Sequence, residues 1–202
     1  MTHQNSKHRV NSSSGDLYVS WDNYNKKIED LATQIYEDGY EFNQIVCIAK
    51  GGLRVGDVLS RIFDVPFAVM SVESYHGEGV KDNQGQIVFG NSLAKTSPNI
   101  GSKVLLVDDL ADTGRTLRKC VKWLEHYHGF FIDELKTATL WTKGLSTFTP
   151  DYYVEFLPND PWIHQPFEKY ETMSILEIGN EDEPEEEKKL QSFLDKAKGM
   201  EV

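Results

Sequence analysis

The chain has 202 residues, 39% hydrophobic, 11% aromatic and 26% charged, and 21 Lys and Arg against 32 Asp and Glu give a formal net charge of −11. That length suits one domain of ordinary size with at most a small appended lobe, and no apolar run approaches the roughly 18 residues that a membrane span needs. The acidic balance argues against nucleic acid as a partner, because binding to backbone phosphates rests on Lys and Arg density.

In chain order, residues 1–16 are polar, lack the apolar stretch of a secretory signal and read as an N-terminal extension. From Trp21 to Asp38, apolar residues at Tyr24, Ile28, Leu31, Ala32 and Ile35 have the spacing of a one-faced helix, with Ser20 or Asp22 as its cap and Gly39 as its stop. The continuously apolar run Gln44–Ala49 reads as a buried strand, followed by the turn Lys50-Gly51-Gly52 and a helix over Leu53 to Phe63. Residues 65–72 read as a second long strand. The polar, glycine-rich segment 73–102 is expected to be one long loop, a length that in compact domains usually marks function. Residues 103–108 form the next buried strand, and an acidic turn leads from it into a helix from Thr116 to about His128. Strands over 134–141 and 152–157 complete the pattern.

Strands alternating with helices predict an α/β fold, an open, mostly parallel sheet flanked by helices on both faces. The domain is expected to span 17–175, with a turn-rich cap or hood at about 158–170 and an acidic tail over 176–202. The run Glu181–Glu187 in that tail reads as solvated surface, and a short helix is expected after Pro184. Cys47 and Cys120 show no zinc or disulfide spacing, so a reducing, cytoplasmic setting is expected. His76, His126 and His128 lack metal-ligand spacing as well and read as surface residues.

In open parallel sheets, ligands bind at the carboxyl ends of strands, where both Lys50-Gly51-Gly52 and the turn from Asp108 to Thr116 must lie. Within that turn Gly114 lets backbone approach an anion, Thr113 and Thr116 bring hydroxyls, and the helix N-terminus brings free N–H groups. Taken alone, such a turn is equally a simple helix cap. Asp108 and Asp109 alter the balance, because two carboxylates beside a phosphate site call for a hydroxylic or cationic group between them. A ribose phosphate with Mg²⁺, which takes oxygen ligands, meets that need.

Four aliphatic residues, two acids, two variable residues and then Asp112-Thr113-Gly114-Arg115-Thr116 resemble the phosphoribosyl diphosphate (PRPP) loop of type I phosphoribosyltransferases. In the same order, "AKGG" resembles the family's pyrophosphate loop, "ESY" the entry to its flexible loop and "WTKG" its base-contacting lysine. "PWIHQPFE" at 161–168 is similar to the hood of bacterial xanthine-guanine phosphoribosyltransferase, and the chain as a whole is most similar to bacterial xanthine-guanine and hypoxanthine enzymes.

The resemblance implies a Mg²⁺-dependent purine phosphoribosyltransferase of purine salvage, acting on PRPP and a 6-oxopurine (xanthine, guanine or hypoxanthine). It further implies a homo-oligomer, dimer or tetramer, while charge and hydropathy predict no nucleic acid partner and no integral membrane segment. On it, Asp108 and Asp109 hold the ribose hydroxyls directly or through the metal, and Thr113, Gly114, Arg115 and Thr116 cradle the 5′-phosphate. Lys50, Gly51 and Gly52 bind the pyrophosphate end, where relatives often have a cis peptide. Asp112 accepts or guides the proton of the purine's five-membered ring, and Tyr75 leads the loop that closes over the reacting centre. Lys143 donates to the 6-oxygen, Trp162 stacks on the base and the Ile163 backbone contacts its far edge. Lys50 stands where xanthine-guanine enzymes carry arginine, and His164 replaces an acid beside the base's two-position edge, so the preferred base stays open. The alternative is a regulatory or non-catalytic relative that keeps the PRPP loop to bind its ligand.

Overall fold

The computed structural model describes residues 15–74 and 87–179. Its strands are β1 (Leu17–Tyr18), β2 (Gln44–Ala49), β3 (Phe67–Ser74), β4 (Ile87–Phe89), β5 (Ala94–Lys95), β6 (Lys103–Val107), β7 (Leu110–Ala111), β8 (Glu134–Lys143), β9 (Tyr152–Leu157) and β10 (Ile163–His164). The helices are α1 (Trp21–Asp38), α2 (Gly52–Phe63), α3 (Arg115–His128) and a short α4 (Ile175–Gly179). The acidic run Glu181–Glu187, the helix expected after Pro184, and Tyr75 and His76 lie outside the described residues.

The main sheet runs β4-β3-β2-β6-β8-β7, with β5 on β3 and β9 on β8. Its central pairs are parallel, while β4 and β5 join β3 antiparallel. Strand residues alternate between two cores. Ile45, Cys47, Leu105 and Val107 pack with Tyr24, Ile28, Leu31 and Ile35 of α1 and with Val55 and Leu59 of α2. Val46, Ile48, Leu106 and Met70 pack on the opposite face with Leu117, Cys120 and Leu124 of α3. The expected α/β sheet with helices on both faces is what forms.

The amphipathic stripe of α1 explains its position. Ser20 caps it by accepting from the Asn23 N–H at 3.2 Å, and Gly39 closes it at φ 74°. Leu31 and Ile35 are fully buried, each contributing roughly 1.5–3 kcal/mol through burial. Cys47 and Cys120 are free and buried, and burial pushes the Cys47 thiol up to about 12.

Two local expectations need correction. Segment 73–102 is not one loop, because β3 continues to Ser74 and residues 87–89 and 94–95 add short antiparallel strands to its edge. Such two- and three-residue strands are too short to show periodicity. The strand expected to end at residue 141 runs on to Lys143, which is only 8% exposed. Residues 17–18, beside the expected extension, pair as β1 with β10 of the hood, Leu17 with Ile163 and Tyr18 with His164.

Candidate active site

The sheet brings the two glycine turns to one edge. β2 and β6 are parallel neighbours, with Cys47 opposite Val107, so the turns that follow them leave the sheet side by side. The Ala49–Lys50 peptide is cis, and the exposed Lys50 leads into Gly51 and Gly52. A Cβ on Gly51 would strike the Asp109 carboxylate and lie 2.9 Å from Asp108 Oδ1, and one on Gly52 would strike the Val107 carbonyl. Glycine is therefore required where this turn crosses the acid pair.

Asp108 is 9% exposed at the end of β6. Its N–H donates to the Ala138 carbonyl at 3.1 Å, and its Oδ1 accepts from the Asp109 N–H at 3.0 Å. Burial, then the adjacent Asp109 charge, pushes its carboxyl well above the usual range. Burial raises Asp109 as well, opposed chiefly by the amide of Gln165, whose Nε2 donates to Asp109 Oδ2 at 2.5 Å. Among the described residues, no ion-pairing cation neutralises either acid, and no cluster of three or more His, Cys, Asp or Glu side chains is placed to hold a metal. Two adjacent buried carboxyls, both raised by burial, fit a hard cation, which takes oxygen ligands.

The cradle follows directly. Gly114, in the left-handed region at φ 73°, precedes α3 and leaves no room for a side chain, since a Cβ would lie 2.6 Å from both Ser146 Oγ and Phe148 Cβ. Residues 146–148 brace the turn from behind: the Thr147 N–H and hydroxyl both donate to the Thr113 carbonyl at 3.1 Å, and Arg118 donates to the Thr147 carbonyl. Thr113 is exposed with its Oγ1 accepting from the Arg115 N–H at 3.4 Å, and Thr116 is half-buried. A cavity of about 250 Å³ is lined by the whole turn from Asp112 to Thr116, together with Asp108 and Ile87. The N-terminus of α3 opens into it, which favours an anion.

At the cavity mouth, β7 pairs with β8, Leu110 opposite Trp141 and Ala111 opposite Thr142. One step further this register sets Asp112 beside Lys143, and their side chains form an ion pair, Nζ to Oδ1, of 3.0 Å. A mostly buried donor and a half-exposed acceptor thus stand side by side.

The hood meets the acid pair through Gln165. Trp162 is 61% exposed, and its Nε1 donates to Glu168 Oε1 at 3.3 Å. No aromatic ring packs on it among the described residues. Ile163 is buried in the core, and its strand partner is Leu17. His164 stacks on Tyr18 with centroids 4.3 Å apart, between Glu168 and Asp16, each 3.2 Å from a ring nitrogen. The structure therefore gathers the acid pair, the Asp112–Thr116 turn, Lys143 and the Lys50–Gly52 turn around one end of the sheet. Sequence reasoning missed Gln165, Ile87 and the brace at 146–148. Of these only Gln165, a polar residue inside the hood motif, carried any signal.

A phosphoribosyl transferase domain model matches residues 20–172. Among solved structures, a purine phosphoribosyltransferase from Pyrococcus horikoshii is 29% identical, over 76% of this chain and 94% of that one, with a TM-score of 0.62. A xanthine-guanine-hypoxanthine phosphoribosyltransferase from Helicobacter pylori is 19% identical, over 78% and 99%, with a TM-score of 0.62. A hypoxanthine-guanine phosphoribosyltransferase from Bacillus anthracis is 24% identical, over 71% and 84%, with a TM-score of 0.56. The domain match runs from the cap of α1 to the end of the hood, and so takes in every element that builds the cavity; the chain belongs to the phosphoribosyltransferase family.

Proposed function

We propose that the protein transfers the 5-phosphoribosyl group of PRPP to a 6-oxopurine, xanthine, guanine or hypoxanthine, and releases pyrophosphate. The observation that carries this reading is the Lys143–Asp112 pair at the cavity mouth. On a 6-oxopurine the 6-oxygen and N7 lie on one edge, so a lysine donor beside an aspartate acceptor matches the oxygen and an N7–H together. Adenine would set an amino group against the ammonium, leaving two donors face to face.

In the reaction so read, N9 of the base forms a bond to the anomeric carbon as the bond to pyrophosphate oxygen breaks. The N7 proton passes to the Asp112 carboxylate, a general-base step. Thr113–Thr116 hold the 5′-phosphate at the N-terminus of α3, Asp108 and Asp109 hold the sugar hydroxyls, and Lys50-Gly51-Gly52 receive the departing pyrophosphate. Trp162, with an uncovered ring, would stack on the base. Mg²⁺ would sit on Asp108 and Asp109 and offset the diphosphate charge. Most of the rate enhancement expected here comes from positioning and electrostatics.

The test offers the protein PRPP and Mg²⁺ with xanthine, guanine, hypoxanthine or adenine in turn and follows nucleotide formation. Turnover with one or more oxopurines is expected. Turnover with adenine alone would remove the role given to Lys143, and binding of PRPP without turnover of any base would favour a regulatory protein.

A further inference from the structure

Two buried polar atoms, the Tyr24 hydroxyl and Gln165 Oε1, have no hydrogen-bond partner among the described residues. Both belong to the surroundings of Asp109. Gln165 Nε2 donates to Asp109 Oδ2, and the Tyr24 phenol is raised by burial and next by the Asp109 charge, the strongest charge acting on it. The orientation of the amide is fixed by charge, since the reverse would set Oε1 against a carboxylate oxygen. An apolar side chain at position 165 would leave no unpartnered carbonyl, yet an amide stands there, spending its N–H on the carboxylate.

The segment that carries Gln165 is held from several sides. Phe167 packs edge-on against Tyr24 at 5.7 Å, and Arg54 lies over the rings of Trp21 and Phe167 at 5.1 and 5.2 Å. Ile163 is buried in the core. On the other side, Asp109 Oδ1 faces Gly51. One carboxylate oxygen is thus engaged by the hood and the other is turned to the ligand turn.

We propose that Gln165 is a positioning residue for Asp109, holding Oδ2 through its amide N–H so that Oδ1 is presented toward Gly51 and the sugar hydroxyls of PRPP. This rests on the reading of Asp109 as a ligand of the ribose. The bond also makes the hood, which carries Trp162, part of the PRPP site. A charge-assisted hydrogen bond to a buried carboxylate is among the stronger side-chain contacts, and without it Oδ2 loses its link to the hood.

The test is titration calorimetry with PRPP and Mg²⁺ on the full chain. Gln165→Met, similar in shape but without a donor, is expected to bind PRPP about tenfold more weakly. Gln165→Glu, which sets acceptor against acceptor, should bind more weakly still and serves if the Met variant does not fold. In an Asp109→Ala background, either Gln165 substitution should add nothing, because its target is gone. Wild-type PRPP affinity in Gln165→Met, or an equal loss with and without the Asp109 side chain, overturns the proposal while leaving the Asp109 reading intact. Wild-type affinity in Asp109→Ala overturns that reading, and this inference with it.

Discussion

The sheet carries acids at both ends, and the two ends treat them oppositely. At the amino ends of the strands, Asp38 is half-exposed yet fully engaged: Lys136 Nζ lies 3.0 Å away, and the Tyr152 hydroxyl donates at 2.5 Å. Those hydrogen bonds and the ammonium hold its carboxyl below the usual range. At the carboxyl ends, Asp108 and Asp109 are more buried, have no cation, and are raised. A chain that needed its acids only for stability would neutralise the buried pair and leave the exposed one to water. The reverse arrangement fits the proposed reading, in which the carboxyl-end acids take a ligand and the amino-end acid belongs to the scaffold.

The comparison breaks most sharply at Asp112. Asp112→Asn removes the proton acceptor but keeps shape, so kcat should fall by about 10²-fold or more, with PRPP affinity nearly unchanged. An equal loss in both, measured by steady-state kinetics and calorimetry, would show that Asp112 binds PRPP and takes no proton. Gly114→Ala should come next. It forces a side chain into the left-handed region, a strain of roughly 1–2 kcal/mol, and into Ser146 and Phe148, so PRPP affinity should drop at least tenfold. Wild-type affinity would mean that the turn does not hold the phosphate.

Much of this site was legible because its chemistry sits in contiguous motifs. Asp108 to Thr116 is a single run, and a run ending a buried strand has its location fixed by topology. The Asp112–Lys143 pair was less accessible, since it depends on β7 resuming pairing with β8 two residues after β6 ends. Gln165 and the 146–148 brace were invisible as partners, because their contacts cross 56 and 34 residues of sequence and follow no period. The short strands β1, β4, β5, β7 and β10 are fixed by tertiary pairing alone. The long elements, helices with apolar residues at a 3.6 repeat and strands that are continuous apolar runs, were read to within two residues at each end.

Asp108→Asn sharpens the comparison from the side of stability. A carboxyl raised in the fold favours the protonated form there, so its contribution is fully present below the unfolded value and is lost as pH rises through the folded one. At neutral pH the unliganded protein should therefore be stabilised by the substitution, on the order of 1–3 kcal/mol, the size of the desolvation penalty of one buried polar group. The gain should shrink as pH is lowered, while PRPP binding suffers. Thermal melts across pH check it, and a destabilised variant at neutral pH would mean that Asp108 is a scaffold acid after all.

The smallest expected effect lies at Asp38, and its sign is the opposite. Its carboxyl is held low first by the Tyr152 hydroxyl and then by Lys136, so the stability it contributes is present above the unfolded value and is lost as pH falls through the folded one. Asp38→Asn should lower the melting temperature slightly at neutral pH and converge with the wild type in acid, with no change in PRPP affinity, because Asp38 and Lys136 lie at the strand ends away from the cavity. Lys136 would stay anchored, since its Nζ also hydrogen-bonds the Tyr152 hydroxyl at 2.9 Å and lies 4.5 Å from the Tyr40 ring centroid. Melting curves of the Asp38 and Asp108 variants should therefore diverge from wild type in opposite directions at neutral pH and approach it together on acidification. Parallel shifts would mean that the two ends of the sheet do not differ in what their acids are for.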